Sequence, residues 1–172
     1  MKKIILLVLS FITYASVLGQ SENPSVFVMN LAEDALESKT IVKKDELSID
    51  NSNYMTEQNG LVILAYESIY PMDYINTLDK DGLSNLLKSI NQEGFEKLNG
   101  LMGALPENPV EKNIKFKNAS ETIQTIAKVN GMNLESTTLR SQNNFLQIFF
   151  IGEVKSKDAQ DFMSQLEIIV VE

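Results

Sequence analysis

Phe145-Leu146-Gln147-Ile148-Phe149-Phe150-Ile151 and Leu61-Val62-Ile63-Leu64-Ala65-Tyr66 are the two most apolar runs after residue 20. Neither alternates cleanly between apolar and polar residues. A strand with one wet face alternates with period two, whereas a strand covered on both faces reads as a continuous apolar run. Both runs therefore predict central strands, and one domain offers one place for them: the middle of a sheet between layers. Sequence order leaves their adjacency open.

Outward from the Leu61–Tyr66 run, Tyr54–Glu57, Asn59-Gly60 and Leu61–Ser68 predict a strand, a tight turn and a strand. Asp50-Asn51-Ser52-Asn53 has turn chemistry. Thr40–Asp50 predicts an edge strand, or a hairpin bent at Lys44-Asp45. Asn23-Pro24 is a helix-start signal. The spacing of Val28, Leu31, Ala32, Ala35 and Leu36 then predicts a helix over Pro24–Ser38. Pro71 ends the Leu61 strand, and Met72–Gly103 is helical in pattern, with Asp81 as candidate N-cap. Leu83, Leu86, Leu87, Ile90, Leu98, Leu101 and Met102 share one stripe with Gly94. That glycine marks either a break near Asn91, giving helices over 82–91 and 93–102, or a close approach within one helix. Leu105–Glu111, with Pro106 and Pro109, reads as a loop.

The last third predicts a β-meander. Ile114 and Phe116 alternate with lysines. Glu121–Val129 is rich in β-branched residues and favours a strand, although Asn118 and Glu121 resemble a helix-capping pair. Asn130-Gly131 is a type I′ hairpin signal leading to Met132–Arg140. Ser141–Asn144 is a second turn before the strand Phe145–Val154. Ser156 caps a helix to Leu166 with Ala159, Phe162, Met163 and Leu166 inward, and Ile168–Val171 ends as a short strand. The expectation is a single-domain α+β fold with an antiparallel sheet packed against helices.

Lys2, Lys3, the apolar stretch Ile4–Leu18 and the small residues toward Gly19 have the pattern of a secretory signal peptide, residues 1–19, followed by one domain over 20–172. The run is short for a membrane span, and no Cys stands at the cleavage site to carry lipid. A secreted or periplasmic protein with no membrane insertion after cleavage is expected. The 172 residues include 15 Lys+Arg, 23 Asp+Glu, no His, no Cys and no Trp, for a net charge of −8. Cleavage removes Lys2 and Lys3 and no acid, leaving a still more acidic chain. Acidity and a lone arginine, Arg140, argue against a nucleic-acid partner, which selects positive patches and arginine forks. Without His, no His-based triad or general base exists. Without His and Cys, the usual zinc, iron–sulfur and haem ligand sets are missing, as are disulfides and cysteine nucleophiles.

Asp79-Lys80-Asp81-Gly82 resembles part of a calcium loop. With Gly82 at position 6, however, Thr77 takes position 1 and Lys88 takes position 12, where a bidentate Glu belongs. No metal and no cofactor is expected. Glu67 and Glu153 follow apolar runs and are expected to be solvated strand ends. Tyr66, Tyr70 and Tyr74, spaced by four around Pro71, are the candidate floor of a shallow binding site, each offering a rigid ring with a polar tip. Arg140 at a strand end is a candidate carboxylate clamp. No catalytic set emerges.

The hairpin at Asn130-Gly131, the run Phe145–Phe150, the cap Ser156, the helix with Phe162 and the closing Ile168-Ile169-Val170-Val171 resemble the end of small exported domains of the Mog1/PsbP-like type. That resemblance spans Thr122–Val171. It implies an antiparallel sheet flanked by helices and a non-catalytic accessory or binding role. The expected function is an exported, non-enzymatic binding or accessory module of the bacterial cell envelope, with a protein or small-molecule partner. The alternatives are a metal-free hydrolase using carboxylates and an acidic inhibitor or immunity-type protein for a basic target.

Overall fold

The computed structural model describes residues 25–44, 46–58, 60–152 and 156–169. The expected signal peptide, the Asn23-Pro24 helix start, Glu153 and Val171 lie outside them. The strands are β1 (Phe27–Val28), β2 (Leu36–Lys44), β3 (Leu47–Gln58), β4 (Leu61–Ile69), β5 (Glu107–Asn113), β6 (Glu121–Val129), β7 (Met132–Ser141), β8 (Asn144–Gly152) and β9 (Glu167–Ile168). Helices α1 (Met72–Asn76) and α2 (Lys80–Met102) connect β4 to β5, and α3 (Ser156–Gln165) follows β8. Seven strands form one antiparallel sheet in the order β2-β3-β4-β8-β7-β6-β5, and β1 pairs with β9. The described residues form a sheet-dominated antiparallel α+β domain with three helices among them.

Two meanders, β2-β3-β4 and β5-β6-β7-β8, meet at the β4–β8 ladder. The two apolar runs are thus neighbours at the centre, with Ile63 opposite Phe150 and Leu64 opposite Phe149. Alternation divides their side chains between the two faces. On one face, Ile63, Ala65, Leu146, Ile148 and Phe150 form a cluster with Phe27 of β1, Ala159 and Phe162 of α3, and Ile168 of β9. Phe162 meets Phe150 edge to face at 5.5 Å between centroids. On the other face, Phe145 clusters with Leu87 and Ile90 of α2, and Leu64 and Phe149 cluster with Leu98.

Between these last two clusters runs a polar seam. Gln147 Nε2 donates to the Asn91 carbonyl and to Asn91 Oδ1, both at 3.1 Å, and Thr138 Oγ1 donates to Asn91 Oδ1 at 2.8 Å. Gly94 sits on this seam, where an added Cβ would collide with the Gln147 amide. The glycine therefore marks a close approach of one continuous helix, not a break between two.

Several local expectations give way to pairing. The predicted helix over Pro24–Ser38 is, in its described part, β1, a loop and the start of β2. All nine residues of β2 find partners on β3, and ladder hydrogen bonds outweigh the weak helical stripe. Asp50–Asn53 is no turn; it lies within β3, paired on both sides. The bend falls between β2 and β3, where Lys44 pairs with Leu47. Leu105–Glu111 is not a loop throughout: β5 begins at Glu107, with Pro109 at a register shift on an edge, where proline is tolerated. The expected alternating strand at Ile114 and Phe116 is loop instead, since β5 ends at Asn113. Asp79, not Asp81, caps α2, its Oδ1 accepting from the Gly82 N–H at 2.8 Å. Residues 121–129 are strand. Asn130 (φ 52°) and Gly131 (φ 76°) both have the positive φ of a type I′ turn.

Candidate functional site

On the face that carries α2, the β2–β3 side of the sheet and the helix leave a cleft between them. Alternate residues of three strands point into it: Leu36, Ser38, Thr40 and Val42 from β2, Asn51, Asn53 and Met55 from β3, and Leu64 and Tyr66 from β4. Lys97 and Leu101, one helical turn apart, close it from α2. The cavity is about 320 Å³, at the small end of ligand pockets. Leu36, Val42, Met55, Leu64 and Leu101 make its walls apolar. The polar side chains of its floor partly satisfy one another: Asn53 Nδ2 donates to Ser38 Oγ at 3.2 Å, and Ser68 Oγ donates to Asn51 Oδ1 at 2.6 Å.

Lys97 and Tyr66 form the polar end. The Lys97 ammonium stands 5.2 Å from the Tyr66 ring centroid, within cation–π range. Tyr66 also meets Phe149 edge to face at 5.9 Å between centroids. Burial pushes the Tyr66 phenol up to about 12, so it stays neutral. Burial also lowers the Lys97 pKa, partly offset by Glu93. Glu93 is paired with Lys44 of β2 at 3.6 Å, and Glu96 accepts from Gln92 at 3.1 Å. Among the described residues no carboxylate lies within ion-pair distance of Lys97.

The tyrosines predicted to act together are separated. Tyr66 lines the cleft. Tyr70 stacks on Tyr74 at 6.0 Å and meets Phe145 edge to face at 5.3 Å, in a core cluster that includes Leu87 and Ile90. Arg140 lies on β7 opposite Phe145 and donates through Nη1 to the Gln142 carbonyl at 3.4 Å. It does not line the cleft.

Glu67 is not a solvated strand end. It is 1% exposed on the face opposite the cleft, and its Oε1 has no hydrogen-bond partner among the described residues. Burial raises its carboxyl to about 7, opposed by Ser25 and Lys39 and reinforced by Glu37. On the same face, burial drives the Tyr54 phenol to about 12, with Ser52 opposing and Glu67 and Glu37 adding to the rise.

Sequence reasoning missed Ser38, Thr40, Asn51, Asn53 and Lys97. The four polar residues stood in segments read as helix, edge strand or turn. Lys97 carries no motif; only the path of α2 across the sheet brings it to Tyr66. Among the described residues no helix is long and apolar enough to cross a membrane. No family model, curated protein or solved structure matches the chain.

Proposed function

We propose that the protein is an exported, non-enzymatic binding module in which a sheet packed against helices presents the cleft to a small molecule. The observation that carries this reading is the cleft itself: apolar walls, a floor of short polar side chains and one ammonium, the composition of a small-molecule site. The signal-peptide pattern of residues 1–19 supports export, and the resemblance of the C-terminal third to Mog1/PsbP-like domains supports a non-catalytic role. A hydrolase reading draws on two carboxyls raised by burial: Glu135, which accepts from the Gln124 amide, and Glu67, the better suited to act as a general acid. That carboxyl is 1% exposed and points away from the cleft, so substrate has no path to it.

Filling the cleft tests the proposal. Met55→Trp places a large ring among Leu36, Leu64 and Leu101. The parent should bind a neutral apolar fluorescent probe such as N-phenyl-1-naphthylamine at one site per chain. The variant, if it melts cooperatively, should lose that binding at least tenfold. Equal binding by both would move the site elsewhere. N-terminal sequencing of exported material should show a start at Gln20 or Ser21; retention of Met1 would refute export by this route.

A further inference from the structure

We infer that the cleft takes an amphipathic monoanion, an apolar body of about ten water-sized groups (~30 Å³ each) whose single negative charge seats on Lys97 beside Tyr66. The inference deepens the binding-module reading and rests on it.

Charge complementarity is the argument. Among the described residues that line the cleft, Lys97 is the ionised one; the others are apolar, hydroxyl, amide or phenol. The chain as a whole is acidic, yet among the described residues no acid pairs with this cation; the Glu93 charge reaches it only from beyond ion-pair distance. Glu93, one turn before it, is held by Lys44, and Glu96 is engaged by Gln92. The Lys44–Glu93 pair also joins β2 to α2 on the same side of the helix. Lys97 therefore has no ion-pair partner among the described residues, although two acids lie near it on the helix. A ligand anion would complete the arrangement, and Lys97, an exposed residue along the cleft, is open to meet it.

One point charge without an arginine fork suits a single anionic group and does not demand bidentate geometry. A second negative charge would find no partner in the lining. A cationic ligand would meet Lys97 as a like charge. The apolar walls exclude small hydrophilic anions from substantial affinity, because they supply contact only to apolar surface. The net acidity of the protein works against an anion at long range, but at physiological salt that field is screened over ~8 Å, leaving the direct contact in force.

The test compares three ligands of one chain length below their micellar concentrations: decanoate, decanol and decyltrimethylammonium. Calorimetry at pH 7.5 gives affinity and stoichiometry. Tyrosine emission, undisturbed because the chain has no Trp, reports on the tyrosines together, and the part of the change lost in Tyr66→Phe belongs to Tyr66. Decanoate should bind at one per chain and at least tenfold more tightly than decanol, with decyltrimethylammonium weakest. Lys97→Met, which keeps an apolar stem, should bring decanoate to or below decanol while leaving decanol affinity within about twofold. Lys97→Arg should keep the preference for decanoate. If decanol equals decanoate in the parent, the anion is refuted while the binding module stands. Should none of the three bind, and the neutral naphthylamine probe fail as well, both readings fall. A decanoate preference that survives Lys97→Met places the anion at another cation and overturns the assignment.

Discussion

At the scale of single residues, Glu67 is where burial and charge conflict most directly. A carboxyl raised from its ordinary 4.5 to about 7 by burial binds its proton more tightly in the folded chain than in the unfolded one. Its contribution is therefore greatest below about pH 4.5 and is lost as pH rises through about 7, by up to about 3 kcal/mol at ~1.4 kcal/mol per unit. Glu67→Gln should remove that dependence and make the protein more stable than the parent at pH 8 but not at pH 4.5. Urea melts of both proteins at the two pH values decide it; a constant difference between them would show that Glu67 does not titrate across this window. Two glycines in α2 give an opposed pair. Gly100 has nothing within 4 Å of an added Cβ, so Gly100→Ala should stabilise by up to about 1 kcal/mol through helix propensity. Gly94→Ala would drive a methyl into the buried Gln147 amide. The overpacking, typically ~1–3 kcal/mol, should exceed the propensity gain. Thermal melts with the same sign for both substitutions would contradict this placement.

Among elements, β4 and β8 hold the centre because both of their faces are buried. Phe149→Ala and Phe150→Ala should each cost about 3–5 kcal/mol, since both side chains are 0% exposed and face opposite layers. If denaturant midpoints show either variant as stable as the parent, that layer is not core. These two strands were legible because continuous apolar runs have few homes in a small domain. So were the Asn130-Gly131 hairpin and α3, where turn chemistry and helical spacing agree with the tertiary structure. Elements whose identity depends on a distant partner were not legible. Leu36 to Ser38 reads as the end of a helix until β3 lies beside it, and Asn51 and Asn53 read as turn formers until Ser68 and Ser38 take their side chains. The cleft was half legible: Tyr66 stood out, but its companions arrive from β2, β3 and α2 by topology alone. Tyr70 and Tyr74 shared its spacing, yet strand and helix periods differ, so equal spacing across Pro71 did not mean one surface.

For the whole molecule, the arrangement of the sheet explains both its covered centre and its edges. The outermost strands carry features that discourage further pairing: Lys39, Lys43 and Lys44 on β2, and Pro109 with a register shift on β5. The interior ladder between β4 and β8 has a different consequence, which concerns time. Each meander can form from hairpins whose strands are close in sequence, but Ile63 must find Phe150 across the intervening helices and three strands. That loop closure comes before any reward from the shared core, so joining the halves should limit the rate of folding, in the millisecond-to-second range of sheet-rich domains. Phe150→Ala should then slow refolding roughly tenfold, as expected when about half of a ~3 kcal/mol loss is felt at the barrier. Leu36→Ala, on the outer strand β2, should leave the refolding rate nearly unchanged and mainly hasten unfolding. Stopped-flow chevrons with the two effects exchanged would mean that the outer strands, not the central joint, assemble first.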